Sequence, residues 1–220
     1  ESDEDQVTVI TSGAVEIGGT LSEDLALKNI QPDASMPDYI VTADLVVPAG
    51  LTLSISEEDV IVFFEQETGI LVQAGGTLTN VDAAGGPGLD SEFIGHAGWK
   101  GIVGEDGTIE LSDAKIENAG ASVFMGQDEA AAITLTGDQV NLLDLSNNEF
   151  IRSFSYDILV TGSISGSGKV TNNQLSFTIP IKAPITFMEF WNSSDPNHFP
   201  DSYNYITLIP SGANKADEVS

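Results

Sequence analysis

Carboxylates are the groups with which this sequence can do chemistry: 34 Asp and Glu stand against 7 Lys and Arg, a formal net charge of −27 over 220 residues. Glycoside hydrolysis uses two carboxyl groups about 5–9 Å apart, one as acid and one as base or nucleophile. Glu110, Asp113 and Glu117 are close enough in sequence to supply such a pair. A solvated acidic face produces the same pattern, so no residue is assigned a catalytic role. Elimination on a polyuronate needs a proton acceptor, often Arg or Lys, beside carboxylates holding a metal that stabilises the enolate-like charge. Arg152 is the only Arg, and Lys100, Lys115 and Lys169 are scattered along the chain. A strongly anionic chain also repels a polyuronate unless cations intervene. Calcium fits better. The glycine-rich stretch 82–92 carries Asp82, Asp90 and Glu92, hard oxygen donors of the kind calcium takes. Their spacing matches neither an EF-hand nor a glycine-aspartate nonapeptide.

Aromatic residues form the second chemical feature. Phe187, Phe190, Trp191, Phe199, Tyr203 and Tyr205 crowd into one stretch near the C-terminus. Rings there have two uses. They can seal the last unit of a repeat fold against edge pairing, or Trp191, Phe199 and Tyr203 can stack on sugar faces; the sealing role is preferred. Other motifs fail on inspection. Ser165-Gly166-Ser167-Gly168-Lys169 has Ser163 where a phosphate loop needs Gly and Val170 where it needs Ser or Thr. His96 and His198 are far apart, which gives zinc little support, and no Gly-x-Ser-x-Gly elbow occurs.

Composition closes further classes. One Arg and six Lys leave nothing to neutralise a phosphate backbone, which excludes nucleic-acid partners. An anionic membrane surface repels the chain. No apolar run approaches the roughly 18 residues of a spanning helix; Val60-Ile61-Val62-Phe63-Phe64 is among the longest. Cysteine is absent, so disulfides and thiolate metal sites are excluded.

The elements that must position these groups are short strands. Val7–Ile10, Leu45–Val47, Leu51–Ile55 and Ile109–Leu111 alternate apolar and polar residues, with turn chemistry at Pro48-Ala49-Gly50, Ala74-Gly75-Gly76 and Ser165–Gly168 between strand runs. One helix is a candidate, over Leu21–Ile30, where Thr20 and Glu23 have capping-box spacing; a strand with a loop is the alternative. Self-similarity is the strongest signal. Leu145-Ser-Asn147-Asn148-Glu-Phe150 matches Val170-Thr-Asn172-Asn173-Gln-Leu175 at an offset of 25. The same offset relates Ile133 to Ile158, Leu135 to Val160 and Leu53 to Leu78, while Ile109 and Leu111 precede Ile133 and Leu135 by 24. A unit of about 25 residues with two or three strands cannot bury its apolar face alone, but stacked units can. The expected fold is all-β: a single-stranded right-handed parallel β-helix with Leu53, Leu78, Leu135 and Val160 stacked inward at successive coils. The paired asparagines are expected to form an amide ladder at a turn rather than a ligand site.

The segment Tyr39-Ile-Val-Thr-Ala-Asp-Leu-Val-Val-Pro-Ala-Gly-Leu-Thr-Leu-Ser-Ile55 resembles the opening coils of a family of secreted right-handed parallel β-helix proteins, common as surface proteins and lipoproteins in Bacteroidetes and related bacteria. Gly98-Trp99-Lys100-Gly101-Ile102 and Ala114-Lys115-Ile116-Glu117-Asn118-Ala119-Gly120 resemble its next landmarks, so the likeness covers roughly residues 38–180. Glu57-Glu58-Asp59 stands where the family has an acidic-Pro-Gly turn. The resemblance implies a β-helix and export but no single activity, and the acidic opening stretch adds the expectation of surface anchoring through a lipid on a segment removed from this chain.

The expected organisation is an acidic tether over 1–6, an entry segment over 7–37, the β-helix over 38–186, an aromatic cap over 187–210 and a polar tail over 211–220. The tether begins without Met and reads as the sequel to a removed leader. The expected function is an exported, non-catalytic surface protein presenting a binding or scaffold face, with carbohydrate or a cell-surface protein as partner and calcium as the candidate ion. The alternatives are a polysaccharide-active lyase or hydrolase and a stalk within a larger surface assembly.

Overall fold

A computed structural model describes residues 13–81, 88–95, 98–124, 126–137, 143–161, 168–171, 173–175, 179–181, 188–191 and 206–208. The chain is a parallel β-solenoid of about five turns, and the described residues contain no helix. Each turn places up to three short strands on three stacks. The first face holds Val60–Phe64, Ser91–Gly95, Ala114–Glu117 and Glu149–Ile151. The second holds Gly69–Val72, Gly101–Glu105, Ala131–Thr136, Tyr156–Val160, Ile179–Ile181 and Ile206–Leu208. The third holds Leu25–Leu27, Thr52–Ile55, Thr77–Thr79, Thr108–Ser112, Leu143–Ser146, Gly168–Thr171 and Met188–Trp191. The long strand Tyr39–Val47 serves two faces, with Tyr39–Val41 against Val62–Phe64 and Leu45–Val47 against Ile70–Val72. Val15–Thr20 lies along its other edge.

Alternation decides which side of each strand is buried. In Val60–Phe64, residues 60, 62 and 64 are buried and 61 and 63 are half-exposed. Inward residues stack on their counterparts one turn away, as Leu45, Ile70, Ile102, Ile133 and Ile158 do on the second face. Leu53, Leu78, Leu135 and Val160 are all buried, as expected. They form two ladders, however, and not one. Leu53 pairs with Leu78 on the third face, and Leu135 pairs with Val160 on the second.

The interval of 25 holds where the turns are short: Leu45 to Ile70, Leu53 to Leu78, Ile133 to Ile158 and Leu145 to Val170. It fails elsewhere. Ile109 pairs with Leu143, 34 residues on, and Ile133 pairs with Ile102, 31 residues back. The offset of 24 relating Ile109 and Leu111 to Ile133 and Leu135 therefore joins residues of different faces. The chain between landmarks carries added residues, 80–90 in one turn and 118–130 in the next, which stretch the interval without disturbing the strands. The helix considered over Leu21–Ile30 is also replaced by a strand. Leu25 and Leu27 pair with Leu53 and Ile55, and this tertiary ladder outweighs the local capping signal.

Two devices fix the interior. Trp99 is fully buried, its ring stacked on Phe64 at 3.8 Å, and its Nε1 donates to Glu117 O at 2.9 Å. Its ring occupies the space above Gly95, where a Cβ would lie 2.2 Å from Trp99 Cδ1. Gly95 is the partner of Phe64 in register, so Trp99 supplies the apolar filling that this position omits. The second device is a buried carboxylate. Asp38 accepts from the backbone N–H of Ile30, Gln31 and Ile61, which ties the 28–37 connection to the first face.

Leu25–Leu27 pairs with Thr52–Ile55, and Met188–Trp191 continues the third face by pairing with Gly168–Thr171. Among the described residues, no helix is long and apolar enough to cross a membrane.

Candidate binding cleft

The candidate site arises from one insertion. Residues 118–130 connect Ala114–Glu117 on the first face to Ala131–Thr136 on the second, and they fold over the outer side of the second face. The insertion is anchored by backbone bonds from Ala121 N to Trp99 O at 2.9 Å and from Phe154 N to Ala119 O at 2.8 Å. Phe124 is its apolar plug. It is buried and packs over Gly69, where an added Cβ would lie 2.6 Å from the ring. Lys100 Nζ sits 4.9 Å from the Phe124 ring centroid and pairs with Asp44 Oδ2 at 2.7 Å. The Trp99-Lys100 landmark thus splits by alternation, the indole inward to the core and the ammonium outward to the insertion.

Between insertion and sheet lies a cleft of about 500 Å³. Its floor is formed by Leu71, Thr134 and Leu159, which with Val103 make one outward column in register on four successive strands of the second face. Glu105 and Thr136 are partners in the next outward column, with Thr161 beyond, and Phe124, Gln127, Asp128 and Glu129 come from the insertion. Asp44 closes one end of this set. The volume is within the roughly 300–1,000 Å³ of small-ligand sites.

Two polar atoms at the cleft stand out. Thr134 is 2% exposed, and its Oγ1 is buried without a hydrogen-bond partner; Asp44 Oδ1 is likewise buried and unpartnered. Most buried polar groups find a partner, because leaving one unpaired costs about 1–3 kcal/mol. The charge is one-sided: Asp44, Glu105, Asp128 and Glu129 against Lys100 give a formal −4 + 1 = −3.

The residues singled out in the sequence are dispersed. Asp82, Phe199, Tyr203, His96 and His198 lie outside the described residues. Trp191 ends a strand of the third face, in register with Thr171. Asp90 is at the end of the 80–90 connection, where its backbone N–H donates to Glu58 Oε2 at 2.7 Å. Its carboxyl is raised from its ordinary value, first by withdrawal from water and then by the neighbouring charges of Glu58, Asp113 and Asp59. Glu92 accepts from Lys115 Nζ at 3.2 Å on the outer side of the first face. Among the described residues, no group of three or more acidic or histidine side chains is placed to hold a metal ion.

The cations form a network of their own. Lys115 bridges Glu92 and Glu117, and Arg152 pairs with Glu117. Here cations and carboxylates neutralise one another on the outer side of the first face, away from the cleft. Of the acidic trio, Glu110 is on the third face, Asp113 is at the corner accepting from Ser112 Oγ at 2.7 Å, and Glu117 is on the first face. The trio does not converge on one groove.

The asparagines do form a ladder. Asn148 Nδ2 donates to Leu111 O at 2.7 Å and to Asn173 Oδ1 at 2.9 Å, while its Oδ1 accepts from Ala114 N at 2.9 Å. Asn173 Nδ2 donates to Leu145 O at 2.7 Å. At the corresponding corner two turns earlier, Asn80 accepts from Ser112 N at 2.8 Å and donates to Ser112 O at 2.6 Å.

Sequence reasoning missed Asp44, Phe124, Asp128 and Thr134. The one signal available was the stretched interval between Ala114–Gly120 and the next strand, which marks an insertion that the core does not need. No family model, curated protein or solved structure matches this chain.

Proposed function

We propose that this chain is an exported, non-catalytic β-solenoid of the cell surface that binds carbohydrate in the cleft between the 118–130 insertion and the second face. The observation that carries this reading is the cleft itself, in which Thr134 Oγ1 is buried without a protein partner. Sugar hydroxyls both donate and accept, so they suit a site built from carboxylates, threonine hydroxyls and an apolar floor. A non-catalytic role is supported by the placement of the cations. Arg152 and Lys115 are engaged by Glu117 and Glu92, whereas an elimination base must be free to take a proton next to the substrate. Export rests on the resemblance of residues 38–180 to secreted β-helix proteins, and surface anchoring on the acidic opening stretch.

The test is a polysaccharide panel read two ways, by retention of the protein and by the size of each polysaccharide after prolonged incubation. Retention on at least one glycan, weakened by Glu105→Gln with Asp128→Asn and without loss of polymer length, supports the reading. Shortening of a bound polymer would replace it with the enzymatic alternative.

A further inference from the structure

We infer that the cleft takes a saccharide bearing protonated amines, an oligomer of 2-amino-2-deoxyhexose without N-acetyl groups. This inference rests on the carbohydrate reading above and names the class of sugar. Three observations lead to it. The first is charge. Four lining carboxylates, one of them paired with the adjoining Lys100, leave a formal −3 at the cleft, within a chain of −27. A cleft with low-dielectric walls focuses such a field and concentrates cations while repelling uronates and sulfated sugars.

The second is the pair of buried atoms. Asp44 Oδ1 can only accept, and Thr134 Oγ1 can accept through either lone pair. Asp44 and Thr134 lie three strands apart, at about 4.8 Å per strand, so they would be met by different units of an oligomer, and an ammonium, with three donors and no acceptor, suits each of them. Lys100 already shows the preference within the protein, since its ammonium is held between Asp44 and the Phe124 ring.

The third is direction. Glu105 and Thr136 are register partners on adjacent strands, and Thr161 follows one turn later. This rim therefore runs along the solenoid axis, with a polar group about every 4.8 Å. A linear oligomer lying along the axis meets a polar group at each turn, and the apolar floor of Leu71 and Leu159 lies beside it.

The experiment is calorimetric titration of the full chain with three hexamers: β-1,4-linked glucosamine, its fully N-acetylated counterpart and oligogalacturonate. A hexamer of lysine is the control, and all titrations are made at a pH where the amines are protonated. The expected result is glucosamine hexamer binding at least tenfold tighter than the acetylated one, with no binding of oligogalacturonate. Glu105→Gln with Asp128→Asn should weaken it at least tenfold. Thr134→Val should weaken it severalfold while the variant melts no lower than wild type, which a merely structural hydroxyl would not allow. Equal binding of the acetylated and free-amine hexamers overturns this inference and leaves the carbohydrate reading standing. Failure of every sugar overturns both. Hexalysine binding as tightly as glucosamine hexamer, with Thr134→Val unaffected, reduces the effect to general attraction by an acidic surface and overturns the inference.

Discussion

Two regions of this solenoid bury polar side chains, and they treat them in opposite ways. At the corner between the third and first faces, the Asn148 amide is filled on both ends, by Leu111 O and Asn173 Oδ1 on its nitrogen and by Ala114 N on its oxygen. At the cleft on the second face, Thr134 Oγ1 and Asp44 Oδ1 are as well hidden but have no partner. The corner amides link strands three faces apart in sequence, so their polarity is spent on register. At the cleft Asp44 holds Lys100 through Oδ2 alone, and neither Asp44 Oδ1 nor Thr134 Oγ1 holds anything within the chain. A closed network specifies structure, and an open one at a cleft is available to a ligand.

Corner and cleft should respond differently to substitution. The largest effect is expected in the core that both regions share. Trp99→Ala removes the ring stacked on Phe64 and the bond to Glu117 O, and it should cost about 3–5 kcal/mol in denaturant unfolding. Next comes the closed corner. Asn148→Ala strands Ala114 N and Leu111 O, and a loss of about 2–4 kcal/mol is expected. A loss under about 0.5 kcal/mol would show that the ladder is ornamental and would dissolve the contrast. The open cleft should respond with the opposite sign. Thr134→Val keeps the shape and removes the unpaired hydroxyl, so unfolding free energy should be unchanged or higher by up to about 1 kcal/mol.

The smallest effect concerns charge at the corner. The Asp90 carboxyl is raised in the folded protein by partial desolvation and by Glu58, Asp113 and Asp59. A folded-state value above the unfolded one means the folded state holds the proton more tightly. Stability from this group therefore falls as pH rises from the unfolded value of 3.8 through the raised folded value, and the deficit persists at neutral pH. Asp90→Asn should raise the melting temperature at pH 7 by no more than about 1–2 °C, because the group is exposed and screened. Below pH 3.8 the gain should vanish.

Much of the fold was legible because stacking imposes a common interval wherever turns stay short. Leu53 with Leu78, Leu135 with Val160 and Leu145 with Val170 were readable for that reason. The asparagine ladder was readable because the amide must recur on the same corner for its bonds to close. The pairing of Ile109 with Leu143 was misread because the 118–130 insertion lengthens the turn between them, and a period count cannot tell a shifted strand from a new face. Leu25–Leu27 was ambiguous because three residues are too few to show a period, and only the ladder to Leu53 and Ile55 settles it. The cleft was illegible for a different reason. Asp44 and Thr134 are ordinary outward residues of their strands, and what sets them apart is the insertion laid over them, a contact between residues far apart in the chain.

The role proposed for the cleft's buried hydroxyl is to meet a ligand. The most direct measurement is the melting temperature of wild type and Thr134→Val, each with and without saturating glucosamine hexamer. Without the sugar, the variant should melt at or above wild type. With it, wild type should gain clearly more than the variant, since a ligand stabilises in proportion to how tightly it binds the folded state. A variant that melts several degrees lower without sugar, or that gains as much as wild type with it, would contradict that role.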